Sequence, residues 1–172
     1  IRQRRNRIEH AQLVMADDIE RIAGMGMVVS AQPHAMYSLE KDVRILGEDR
    51  ALRSYPYRSL LDAGVPLAFG SDIPGEASYA PMVGIHNAVN HPGDEGITVE
   101  EALACYTRGS AYAEFREDEK GMIAPGMLAD LCVLSDDPRS VPPTSLKEVT
   151  VRLTIVDGRI VYDVDEELSS GP

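Results

Sequence analysis

The chain has 172 residues, 44% of them apolar and 26% charged, with a net charge of −11. That length holds one sizeable core, or one domain with a small appendage, and the balance is that of a globular chain rather than a disordered one. The acidic surplus argues against nucleic acid and anionic membrane as partners, since both select basic surface. No apolar run approaches the roughly 18–20 residues of a membrane span. No secretory signal is visible behind the Arg-rich start, so the cytoplasm is the expected location. The chain begins with Ile1 rather than Met, and further sequence upstream is expected. Arg2, Arg4, Arg5 and Arg7 form a short basic cluster, which an acidic chain follows. Cys105 and Cys132 sit in apolar segments without a CxxC pair and are expected to be buried free thiols.

In chain order, Arg7-Ile8-Glu9 is a short strand-like start that ends at His10. Asp17 and Glu20 have the spacing of a capping box, which predicts a helix through Ile19, Ile22 and Ala23 that stops at Gly24 or Gly26. Met27 to Ala31 reads as a buried strand. Pro56 suits a first helical turn, Leu60 and Leu61 follow it, and Gly64 suits the end. Val65 to Phe69 is the next buried strand. Thr98 and Glu101 form a second capping-box pattern, opening an apolar helix through Ala102, Leu103, Tyr106, Ala111 and Tyr112. Near Gly121 the pattern changes. Pro125-Gly126 is a turn, and Leu131 to Leu134 a short strand. Val149 to Val156 and Arg159 to Tyr162 flank Asp157-Gly158, a strong two-residue hairpin signal. The expected division is an α/β part over residues 1–117 and a β part with a tail over residues 118–172.

The polar residues suited to catalysis fall just past the α/β strands: His10, then Gln32-Pro33-His34, then Ser71-Asp72. In parallel α/β proteins the loops at the C-terminal strand ends converge on one face, and active sites lie there. Each group alone also has a plainer reading, a hydrogen-bonded structural histidine or a turn. Ser71, His10 and Asp72 would make a hydrolase triad on paper, but the Gly-x-Ser-x-Gly elbow is absent.

Seven segments in order carry a resemblance. They are Arg7-Ile8-Glu9-His10-Ala11-Gln12; Ser30-Ala31-Gln32-Pro33; Tyr55 to Gly64; Gly70-Ser71-Asp72-Ile73-Pro74; Thr98 to Leu103; Tyr106 to Ala113; and the set Gly121, Pro125-Gly126, Ala129-Asp130-Leu131, Val133-Leu134 and Asp137-Pro138. Together they resemble amidohydrolase family 3, a branch of the metal-dependent amidohydrolases, over about residues 3–163. The resemblance implies the last three βα units of a (β/α)8 barrel, plus the C-terminal part of a small β-sandwich domain. It implies that His10 and Asp72 are metal ligands, that Asp72 is also the general base, and that Gln32 and Arg58 contact substrate. The implied cofactor is a divalent metal, zinc in the first instance. Imidazole and carboxylate suit such an ion, which acidifies a bound water. The implied substrate is a small amide or cyclic amide whose C–N bond is hydrolysed; a deaminase of the same superfamily is the rival.

The departures are as informative. The strand-1 His-x-His pair, the strand-4 lysine or acid and the strand-5 histidine of the family have no counterpart here. Gly75 to Tyr79 is not the family's usual sequence after the aspartate, and His34, His86 and His91 match no ligand position. A whole barrel takes typically 250 residues, and three units leave strand edges open. Homo-oligomers, or association through those edges, are therefore expected. The chain alone is expected to be inactive; the non-enzymatic alternative is a remnant or structural piece that keeps the fold.

Overall fold

The computed structural model describes residues 4–36, 38–76 and 78–169, with side chains as far as Glu166; Arg2 of the basic cluster lies outside these. Three parallel strands, β1 (Arg7–Glu9), β2 (Val28–Ala31) and β3 (Leu67–Phe69), form a sheet in sequence order. Their registers pair Ile8 with Val29 and Ser30 with Ala68. Helix α1 (Ala16–Met25) connects the first pair, and α2 (Leu39–Leu46), α3 (Glu48–Leu52) and α4 (Tyr57–Asp62) connect the second. β2 and β3 are almost wholly buried, which is why they read as continuous apolar runs.

Helix α1 begins elsewhere than its sequence pattern indicates. Its N-cap is Met15, without a side-chain cap, and Asp17 lies inside the first turn beside Asp18. The Asp17–Glu20 spacing therefore does not form a capping box. The two acids instead place negative charge where the helix N-terminus favours it. Gly26, with φ of 64°, ends the helix in the left-handed conformation. Pro56 is the N-cap of α4 rather than a residue of its first turn.

After β3 come α5 (Pro81–Val89), α6 (Val99–Ala104) and α7 (Ser110–Ala113). The Thr98–Glu101 capping box is present with both its hydrogen bonds. The apolar helix expected beyond it is not uniform. Cys105–Gly109 is a π-helical turn between α6 and α7, and it brings Ser110 Oγ within 3.1 Å of the Phe69 carbonyl. The core joins Ile22, Val29, Phe69, Tyr57, Leu60 and Ile85.

A second sheet holds β4 (Leu131–Leu134), β5 (Val151–Val156) and β6 (Arg159–Asp163), all antiparallel; α8 (Val164–Ser169) follows. The 3-10 turn Pro143–Glu148 packs on α5, and its Leu146, with Val149, is buried in the core of the parallel sheet. Cys105 is buried, but Cys132 is exposed. That overturns the expectation of two buried thiols: the three-stranded sheet leaves much of its surface in solvent, including Val133, Ile160 and Val161. No helix among the described residues is long and apolar enough to cross a membrane.

Candidate functional site

Because β1, β2 and β3 are parallel, their C-terminal ends share one edge of the sheet, and the three loops leaving that edge carry His10, Gln32 and Asp72. The ladder continues one residue past the strands: His10 N–H donates to the Ser30 carbonyl at 2.8 Å, and Gly70 N–H to the Ala31 carbonyl at 3.0 Å. The chain then turns sharply. His10, Ala11 and Asp72 have φ of 66°, 48° and 57°. Such left-handed backbone is uncommon outside glycine and gathers at functional sites, where surrounding structure holds it. Here Gly75 N–H donates to the Asp72 carbonyl at 2.6 Å, closing a tight turn about the aspartate.

The result is convergence. His10 Nδ1 lies 3.9 Å from Asp72 Oδ2. The side chains are 61% and 47% exposed, open to whatever approaches the sheet edge. Strands two apart put their backbones roughly 10 Å from each other, so both side chains lean inward to close that gap.

Gln32 lies between them in sequence order of the strands. Its Nε2 donates to the Ser30 carbonyl at 3.2 Å, the same oxygen that His10 N–H reaches. Its Oε1 is buried and has no hydrogen-bond partner among the described residues. Arg58 is placed differently. Its guanidinium donates to both Glu101 oxygens at 2.8 and 2.9 Å and to Asp62 at 2.9 Å, and it has no described contact with His10 or Asp72. Glu101 first, and then Asp62, hold the guanidinium pKa above its ordinary value. Burial acts to raise the pKa of Glu101, but the Thr98 N–H and the Arg58 charge outweigh it and keep the carboxyl below its usual range.

A recess of about 160 Å³ is lined from all three loops, by Gln12, Ala35, Ser38, Asp42, Tyr55 and Glu76 among others. Nothing in the sequence singled these residues out as a group. A slightly larger recess, about 190 Å³, lies against α5 and is lined in part by His86 and His91. The histidines there serve packing. His91 Nε2 donates to the Ser54 carbonyl at 2.9 Å while Nδ1 accepts from Gly93 N–H at 2.9 Å, and His86 Nδ1 faces the Pro143 carbonyl at 3.2 Å.

Imidazole and carboxylate are both ordinary zinc donors, and an Nδ1–Oδ2 separation of 3.9 Å is about half an ångström wider than two tetrahedral zinc ligands stand from each other. The pair fits as part of a donor set. Among the described residues no group of three or more His, Cys, Asp or Glu comes together to complete one.

Residues 1–162 match the Amidohydrolase family, and the chain belongs to it. It is 36% identical over 172 residues to YtcJ of Bacillus subtilis (strain 168), covering 93% of this chain and 32% of that protein. It is 34% identical over 167 residues to the N-substituted formamide deformylase of Arthrobacter pascens, covering 91% of this chain and 31% of that enzyme. Among solved structures, a metal-dependent hydrolase from Pyrococcus horikoshii OT3 superposes with a TM-score of 0.72 at 31% identity, over 81% of this chain and 30% of that one. The chain thus spans about a third of the length of the curated relatives it matches.

Proposed function

We propose that these residues form part of the active site of a metal-dependent hydrolase that cleaves the C–N bond of a small amide or cyclic amide. In this reading the parallel sheet is the last three βα units of a (β/α)8 barrel, and β4 to β6 belong to its small β domain. His10 and Asp72 are two ligands of a divalent cation, zinc in the first instance. The remaining ligands come from outside these 172 residues. The observation that carries the reading is the approach of His10 Nδ1 to Asp72 Oδ2 at 3.9 Å, at the strand edge where such enzymes place their chemistry. The family membership and the metal-dependent hydrolase from Pyrococcus support it.

The metal, when bound, supplies Lewis acidity. The chain's own residues supply the rest. His10 presents an imidazole nitrogen that its main-chain bond to Ser30 holds at the edge. Asp72 holds and returns a proton at its carboxylate, as a general base that becomes a general acid. Gln32 accepts an N–H of the substrate once its side chain turns the Oε1, buried in this structure, toward the edge. Arg58 keeps α4 braced on Glu101, and a direct contact with substrate requires it to leave two carboxylates.

The test is a Zn²⁺ titration followed on the His10 ring resonances by NMR. The expected result is a saturable shift, lost in Asp72→Ala and weakened at least about tenfold in Asp72→Asn. Resonances of His10 that ignore Zn²⁺ up to the solubility limit would remove the reading.

A further inference from the structure

We infer that His34, for which the hydrolase reading has no role, is the positioning residue that fixes the loop carrying Asp72. His34 is 5% exposed and follows β2. Its ring lies between the two ends of the segment Gly70–Ala80. Nε2 is 2.9 Å from the Ala80 carbonyl, and Nδ1 is 3.3 Å from the Gly70 carbonyl. The shorter contact takes the N–H of a singly protonated ring. The Tyr106 hydroxyl, 3.4 Å from Nδ1, then donates to the other nitrogen. The Gly70 carbonyl lies beside the unprotonated Nδ1 without a bond to it, and the tethered Ala80 carbonyl closes the segment that carries Asp72.

The surroundings are built for that ring. Tyr106 meets it edge-on, with centroids 6.4 Å apart. Gly84 of α5 leaves the space: a Cβ there would stand 1.9 Å from Tyr106 Oη and 2.8 Å from His34 Cε1. Asn87 Nδ2, on the same helix, donates to the Pro33 carbonyl at 2.9 Å, a second tie between α5 and the turn that holds His34. The exit of β2 and the start of α5 are therefore joined at one imidazole, which lies beside the exit of β3. Gly70 N–H bonds to β2, the Gly75 and Glu76 N–H groups bond to the Asp72 carbonyl, and at the far end Ala80 is the N-cap of α5, its carbonyl accepting from Val83 N–H at 3.0 Å. His34 and Asn87 tie that end to the exit of β2, and His34 does so at the segment's own last carbonyl, so the setting of the Asp72 loop against β2 leans on His34.

This inference rests on the reading of Asp72 as a metal ligand for its consequence, though not for its geometry. The experiment separates the two. Hydrogen exchange by mass spectrometry reads the amides of residues 70–80, and the same Zn²⁺ titration reads the site, in the wild-type chain and in His34→Ala, His34→Gln and His91→Ala. His91 is the control, since it is a comparably buried histidine whose two nitrogens are bonded far from the loop. His34→Ala is expected to speed exchange across 70–80 and to weaken Zn²⁺ about tenfold, as loss of an orienting partner does. His34→Gln, whose amide can still donate to Ala80, recovers protection at the loop. His91→Ala changes neither, whatever it does to the melting temperature. Unchanged loop exchange in His34→Ala would overturn the inference, as would equal effects from His91→Ala. If His34→Ala fails to fold, His34→Phe, which keeps a ring and has no donor, decides: loop exchange faster than in the His91→Ala control upholds the tether, and exchange matching that control overturns it. A wild-type chain that ignores Zn²⁺ removes the hydrolase reading and leaves the exchange arm to judge the tether alone.

Discussion

Tyr57 is fully buried, and its hydroxyl has no partner among the described residues. Burial pushes the phenol pKa well above its ordinary value, and the neighbouring Tyr55 adds to the shift. An orphaned buried hydroxyl costs on the order of 1–3 kcal/mol in lost hydration, while the ring itself packs edge-on against Phe69 at 5.0 Å. Tyr57→Phe keeps the ring and removes the orphan. The variant is expected to be at least as stable as the wild type, by up to about 1–2 kcal/mol, in urea denaturation; a loss of stability would show that the hydroxyl is bonded after all. The two thiols divide in the same physical terms. Burial raises Cys105 to about 12, whereas Cys132 is exposed. A native chain should therefore react with a thiol reagent at Cys132 alone, and at both in denaturant, as peptide mapping would read. Fast labelling of native Cys105 would contradict the packing. The sequence could not separate the two, because both sit in apolar runs and only the cover on each run differs.

At the scale of elements, the hairpin between β5 and β6 is set by two residues. Asp157 and Gly158 have φ of 50° and 73°, the sign that a type I′ turn requires at both positions. A Cβ on Gly158 meets nothing within 4 Å, so any penalty there is backbone strain and not a clash. Gly158→Val should cost about 1 kcal/mol or more, and Gly158→Asn less, since asparagine tolerates this conformation. Thermal melts of the two variants give the comparison, and an unshifted valine curve would exclude the turn. This hairpin was legible because Asp-Gly is a local signal. The strands β1 to β3 were legible because burial on both faces leaves short apolar runs. Helix α2 was not assigned from the sequence: Leu39, Val43 and Leu46 have helical spacing, but the helix is short and buries none of its residues. The Asp17–Glu20 pattern misled because spacing does not say which residue leaves the helix; the chain placed Met15 there instead. The π-helical turn at Cys105–Gly109 has no sequence mark, since it answers to the fit of Ser110 against β3.

For the molecule as a whole, the candidate site was legible as far as the strands are parallel. Residues that follow parallel strands must share an edge, and His10 and Asp72 do. The tether at His34 was hidden, because its acceptor is a main-chain carbonyl, which every residue possesses. The same geometry limits what these 172 residues do alone. A catalytic zinc site takes three protein ligands and keeps one position open. The described residues bring two donors together, both substantially exposed, and no third. The sheet that carries them is three strands wide, with β1 and β3 as its edges. A barrel takes eight strands, and it excludes water from its mouth only when loops from all sides surround it. The chain by itself is therefore expected to give no metal-dependent turnover of an N-formyl amine or a cyclic amide above the buffer rate, with Zn²⁺ present in excess. The measurement is product release with and without a chelator, repeated with Asp72→Asn. Hydrolysis that the chelator abolishes and Asp72→Asn lacks would show that two ligands on an open sheet suffice, and the proposal that further ligands lie outside these residues would then fall.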